Sequence, residues 1–210
     1  MNFDERCFQV LAPLRAEMDG RHKAREGALQ KCRLLIQTSS KCIRHIHRRQ
    51  FDEAEALLKE ARSLSLAARA EMEPFPTVRY ASYLQDAEKE MVEAAAVMAI
   101  VQNRPVPSCG ELGVDVVSYL NGLGEAASEC RRYVLDEVRS GSFVEAARML
   151  SQMESVYDEL ITFDYPDSLT GGLRRTCDAL RAVVERTRSD LTLTQVQREL
   201  LEELKGAKGS

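Results

Sequence analysis

The chain has 210 residues and a formal net charge of −4, with 44 % apolar, 30 % charged and 6 % aromatic residues and no tryptophan. That composition supports a buried core and excludes a disordered chain. No apolar run reaches the length of a membrane-spanning helix. The start, MNFDERCFQV, lacks the basic-then-apolar pattern of a secretory signal, so a cytoplasmic protein is expected.

Alternating β-branched runs are almost absent, and the helix formers Ala, Leu, Glu and Arg dominate, so the fold expected is all-α. Residues 21–49 concentrate positive charge: Arg21, Lys23, Arg25, Lys31, Arg33, Lys41, Arg44, Arg48 and Arg49 stand against the lone acid Glu26, and His22, His45 and His47 lie there too. Over residues 28–46 a 3.6-residue period puts Ala28, Leu29, Cys32, Leu35, Ile36, Ser39, Cys42, Ile43 and Ile46 on one face. Lys41, Arg44, His45 and Arg48 fall opposite, which predicts a long amphipathic helix with a basic outer stripe. Phe51-Asp52 interrupts it, and a second helix follows to about Glu71, where Pro74 and Pro76 force a break.

A third helix is expected from Thr77 to Gln102, ended by Arg104-Pro105-Val106-Pro107. A short turn or helix covers Ser108 to Leu112, and Asp115 caps a helix reaching about Arg139. Ser140-Gly141-Ser142 breaks the pattern before a helix to about Thr162, and Tyr165-Pro166-Asp167 is the next stop. Another helix spans about Ser168 to Arg188, weakened at Gly171-Gly172. The stretch from Leu191 to Leu204 is amphipathic. The expectation is one domain over residues 1–205, a bundle of about seven helices, with 206–210 disordered. The six cysteines, Cys7, Cys32, Cys42, Cys109, Cys130 and Cys177, form no CxxC pair, so reduced, mostly buried thiols are expected and a zinc site is not.

Two carboxylates stand out. Glu93 is the only charge in Met91–Val101, a segment apolar nearly all round, with Glu90 one turn earlier. Glu125 is the only charge in Val116–Ser128, with Glu129 at i+4. A buried carboxylate needs a partner or takes up a proton, and neither run contains a Lys or Arg to serve. A hard divalent cation, Mg²⁺ or Mn²⁺, suits such an oxygen set. Gly122 and Gly124 would admit another helix close to Glu125. ExxE and ExxxE spacings also occur widely on solvated helix faces, so spacing alone leaves that reading open; Asp86 and Glu88, in a polar stretch, are expected at the surface.

Tyr119-Leu120-Asn121-Gly122-Leu123-Gly124-Glu125, followed by Glu129, resembles the YLxG…[DE]xxxE helix of the translin superfamily, and in particular its branch of translin-associated factor X, or Trax. Glu90-Met91-Val92-Glu93-Ala94 resembles that branch's upstream acidic segment. Ser140–Phe143 matches the short inter-helix turn, and Asp167-Ser168-Leu169 through Arg174-Arg175 and Val183-Val184-Glu185 resemble the last helix. The resemblance implies a seven-helix subunit and a metal-dependent endoribonuclease acting on single-stranded RNA. It implies Mg²⁺ held by Glu90, Glu93, Glu125 and Glu129, and self-assembly into a closed octamer. Glu125 stands where the Trax branch usually carries Asp.

In that reading the metal orients the phosphate and activates a water, and Glu125 accepts the water proton. Arg21, Lys23, Arg25, Lys41, Arg44, His45, Arg48 and Arg49 are the expected contacts to the RNA backbone. Two other readings stay open. One is a non-catalytic binder of single-stranded RNA or DNA, as translin is. The other is an all-α nucleoside triphosphate pyrophosphohydrolase, which also pairs ExxE with a later acidic motif. A ferritin-like di-iron site is set aside because no His follows residue 47.

Overall fold

The computed structural model describes residues 2–75 and 82–208, and within them the protein is all-α, with eight helices and no strand. Helix α1 (Phe3–His47) starts at a capping box: the Asn2 side chain accepts from the Glu5 N–H at 2.8 Å, and Glu5 accepts from the Asn2 N–H at 3.1 Å. It reverses through residues 48–50 into α2 (Phe51–Met72). Helix α3 (Ser82–Val101) is buried nearly all round from Met91 to Ile100, as its apolar run predicts. Two four-residue helices, α4 (Cys109–Leu112) and α7 (Asp167–Thr170), sit in the connections. Helices α5 (Val116–Ser140), α6 (Phe143–Leu160) and α8 (Leu173–Lys208) complete the chain.

Helices α3 and α5 form the middle of the molecule. The α1–α2 hairpin packs on α3, α6 and α8 pack on α5, and α3 against α5 joins the two halves. The predicted stops occupy their places. Asp115 accepts from the Val117 N–H and caps α5, and Gly141, at φ 86°, ends it. Ser108 and Glu111 cap α4 reciprocally.

Several expectations change. The helix predicted from Thr77 is described only from Ser82, because residues 76–81 lie outside the described part. The helix predicted from Ser168 is split, because Gly171 (φ 61°) and Gly172 (φ 86°) both take the left-handed conformation. The segments before and after Leu191 are one helix, which runs through Gly206 to Lys208 rather than ending at 205. The strong helix formers from Glu199 to Lys205 carry the hydrogen-bonded spiral across one glycine, at a cost of about 1 kcal/mol. Glu88 is not at the surface. It is fully buried and held by Arg69 of α2 through bonds of 2.6 Å to each carboxylate oxygen, with Ser65 donating at 2.9 Å. Asp86 is exposed as expected. Cys32, Cys42, Cys130 and Cys177 are buried free thiols, while Cys7 is exposed.

Both long helices carry exposed apolar side chains toward the chain ends. Residues 3–19 of α1 are mostly exposed, including Phe3, Phe8, Leu11, Leu14 and Met18. Beyond Leu191, α8 exposes Leu193, Val196, Leu200, Leu201 and Leu204.

Candidate metal centre and nucleic-acid interface

The crossing of α3 and α5 is set by Gly122. A Cβ at Gly122 would lie 2.6 Å from the Lys89 carbonyl oxygen and 2.7 Å from Val92 Cβ, so only glycine lets the two backbones approach this closely. Gly124 serves a different neighbour, since a Cβ there would meet Thr176 of α8 at 2.6 Å. Tyr119 fixes the start of the same motif by donating to the Pro107 carbonyl at 2.9 Å. Asn121 donates to the Thr170 carbonyl at 2.8 Å and accepts from the Thr176 hydroxyl at 2.7 Å. Most of the glycine- and asparagine-bearing motif is therefore packing. Its product is the placement of Glu125 over the acidic turn of α3.

There Glu90, Glu93 and Glu125 bring one carboxylate oxygen each to within 4.8 Å of one another. Burial, and after it the charges of Glu90, Glu125 and Glu129, raise the Glu93 carboxyl from the ordinary 4.5 to about 8; Lys89 acts in the opposite sense. Glu90 is also raised, first by burial and then by Glu125 and Asp86, against the opposing charge of Lys89. Glu129 stands one helical turn beyond Glu125 and outside the close trio. Its Oε1 lies 2.6 Å from His47 Nε2.

Sequence reasoning missed two groups here. No cation lies within either apolar run, but Lys89, just outside, donates to Glu125 Oε1 at 2.6 Å. Its signal was the i,i+4 spacing to Glu93, which puts it on that face. His47 is not a surface residue: its side chain is 5 % exposed, it stacks on Tyr133 with centroids 5.8 Å apart, and Nδ1 has no hydrogen-bond partner among the described residues. Its signal was the i+4 spacing from Ile43, at the flank of the apolar stripe.

The basic stripe divides. Lys23, Lys41, Arg44 and Arg48 are exposed, and Lys41, Arg44 and Arg48 form one row on α1, with His47 one turn after Arg44. His45 is half-buried, with Nδ1 unpartnered. Arg21 pairs with Glu17 at 2.5 Å and Arg25 with Glu26 at 2.6 Å, on the side of α1 away from Lys41. Arg49, with a largely exposed side chain, adopts a left-handed backbone (φ 59°), pairs with the buried Glu137 and lies over the Tyr133 ring at 5.3 Å. These contacts hold a non-glycine residue in a conformation that costs about 1–2 kcal/mol.

No family model matches the chain. An uncharacterized protein of Methanocaldococcus jannaschii is 30 % identical over 183 residues, covering 86 % of this chain and 81 % of that protein. The crystal structure of AfC3PO is 34 % identical with a TM-score of 0.84, covering 90 % of this chain and 98 % of its own. AfC3PO in complex with duplex RNA matches at 33 % identity and a TM-score of 0.82, over 90 % and 97 % of the two chains. The apo-NeC3PO structure shares the fold, with a TM-score of 0.79 at 23 % identity over 88 % and 96 %. Matched along almost the full length of AfC3PO and alike in fold, the chain belongs to the translin superfamily of C3PO-type helical proteins.

Proposed function

We propose that this protein is a Mg²⁺-dependent endoribonuclease of the Trax-like kind, with the α3–α5 carboxylates as its metal centre. The observation that carries this reading is the trio Glu90, Glu93 and Glu125, whose half-buried carboxylates converge to within 4.8 Å, with the Glu93 carboxyl pushed up by burial and by its acidic neighbours. Such a set fits a hard divalent cation, Mg²⁺ or Mn²⁺, which offsets the repulsion that burial magnifies. When bound, the metal supplies Lewis acidity toward a phosphoryl oxygen and lowers the pKa of a water.

The remaining work falls to the chain's own side chains. Glu129, tied to His47 and outside the trio, takes the proton from the attacking water in place of Glu125, which the trio occupies. Lys41, Arg44 and Arg48 draw the phosphate backbone toward the site from α1. RNA as the ligand is supported by AfC3PO, which has been captured with duplex RNA; for this chain we propose single-stranded RNA as the strand cut. The exposed apolar faces of α1 and α8 support self-assembly, and the octamer of the family is the assembly we propose.

One observation favours a second reading. Lys89 already neutralises Glu125, which is what a non-catalytic RNA-binding protein would need. A cleavage assay on fluorescent single-stranded and duplex RNA separates the two. Cleavage in Mg²⁺ that EDTA abolishes, and that Glu129→Ala lowers by roughly 10²–10⁴-fold, is expected. Binding without cleavage would establish the second reading, and cleavage persisting in EDTA would end the metal-centre proposal. Release of pyrophosphate from free nucleotides would point instead to a pyrophosphohydrolase.

A further inference from the structure

Next to the carboxylate trio lies an open cleft of about 410 Å³ between α3, α5 and the start of α8. Its chemistry comes from Gln85, Asp86 and Lys89 on α3, Ser118 and Glu125 on α5, and Arg175 on α8. Glu125 belongs to both the cleft and the trio, so a ligand in the cleft adjoins the proposed metal centre. The left-handed Gly171-Gly172 turn walls the far side.

Two groups in the cleft lack partners. The Arg175 side chain is exposed and makes no hydrogen bond or ion pair with any described residue. Ser118, only 2 % exposed, has a hydroxyl with no hydrogen-bond partner among the described residues. A buried hydroxyl without a partner is uncommon and calls for an explanation.

The mix of charges selects among ligands. A bare anion would face Asp86 and Glu125 as well as Arg175 and Lys89. An uncharged nucleoside would leave Arg175 unmatched. A nucleotide satisfies both sets: its phosphate accepts from the guanidinium and ammonium groups, and its ribose hydroxyls donate to the carboxylates. We propose that this cleft seats the ribose-phosphate of the RNA nucleotide adjoining the bond to be cut, with Arg175 taking its phosphate. The placement beside the cut bond rests on the nuclease reading, whereas nucleotide binding does not.

The test uses the full chain and begins with binding in EDTA, where no cleavage occurs. Anisotropy of a fluorescent single-stranded RNA should show Arg175→Gln binding about tenfold more weakly and Arg175→Glu more weakly still. Arg174→Gln is the control, because Arg174 pairs with Asp164 at 3.4 Å away from the cleft; it should stay within about twofold of wild type. Neither Arg175 variant removes a folding contact, and circular dichroism is the check that the folds match. By NMR titration, adenosine 5′-monophosphate should shift the Ser118 amide in wild type but not in Arg175→Glu, and inorganic phosphate at the same concentration should not.

Equal losses for Arg174→Gln and Arg175→Gln would reduce Arg175 to general charge and overturn the proposal. So would wild-type affinity in both Arg175 variants, or inorganic phosphate acting as well as the nucleotide. A wild type that shows the Arg175 dependence but cuts nothing in Mg²⁺ retains the cleft and ends the nuclease reading. Metal-dependent cutting with unaltered RNA affinity in the Arg175 variants retains the nuclease and ends the cleft.

Discussion

Glu93 is flanked on α3 by the buried Val92, Ala94, Ala96 and Val97, and every charge facing it other than Lys89 is negative. In the folded, metal-free chain it releases its proton near pH 8, against about 4.5 when unfolded. Between those values the folded state binds more protons than the unfolded one, so stability falls as pH climbs from about 4.5 to about 8. Differential scanning fluorimetry in EDTA should show the melting temperature dropping across that window. Glu93→Gln should flatten the drop and melt higher than wild type at pH 8, and Mg²⁺ should raise the wild type most at the alkaline end. A melting temperature independent of pH and Mg²⁺ would count against the cluster.

His47 acts on the same site through Glu129. His47 positions the proposed base rather than a member of the metal trio, and loss of an orienting partner of this kind costs about 10–100-fold in activity. His47→Ala should therefore lower the cleavage rate at saturating Mg²⁺ by roughly that factor without shifting the Mg²⁺ concentration for half-maximal cleavage, and His47→Gln, which can still donate to Glu129, should recover much of it. A cleavage rate identical in all three proteins would show that His47 only packs against Tyr133.

The helices carry the site because two of them cross at a glycine. Replacing Gly122 with Ala improves intrinsic helix propensity by about 1 kcal/mol. The added Cβ would meet the rigid Lys89 carbonyl and Val92 Cβ, which cannot swing aside as a flexible side-chain tip can. Overpacking of this kind costs about 1–3 kcal/mol, so the clash is expected to win. Gly122→Ala should lower the urea midpoint and, by pushing α5 off α3, weaken Mg²⁺ binding as well. An unchanged midpoint would mean that the helices separate without cost. Gly122 and Glu125 were legible as a pair in the sequence, but that Gly122 faces α3 and Gly124 faces α8 was not. Residues two apart on a helix point in different directions, and only the packing partner assigns each one.

At the scale of the molecule, two segments carry uncovered apolar side chains: residues 3–19 of α1, and α8 beyond Leu191, where Arg198 still lies over the Phe143 ring of α6 at 4.3 Å. Exposed apolar surface this continuous marks an association site. Leu200→Asp with Leu204→Asp should shift light scattering toward smaller assemblies while leaving helicity intact. A wild type that is already monomeric would sink the octamer proposal. No helix among the described residues is long and apolar enough to cross a membrane, so these faces are not spans.

The sequence by itself determined the all-α class, the breaks at Gly141 and Asp115, and the oddness of Glu93 and Glu125. These depend on periodicity, capping and local composition, which act over a few residues. Tertiary structure alone decided which charges pair. Glu88 reads as polar surface along the chain yet is buried on Arg69. Arg49 reads as part of an RNA-binding stripe yet is tied to Glu137. His47 lies in the basic segment along the chain and sits on Glu129. Each partner lies 19 to 88 residues away in sequence. The physical reason is that side-chain partners come from the crossing of helices, which local spacing does not encode. The four glutamates thus became three close oxygens plus one carboxylate held by a histidine.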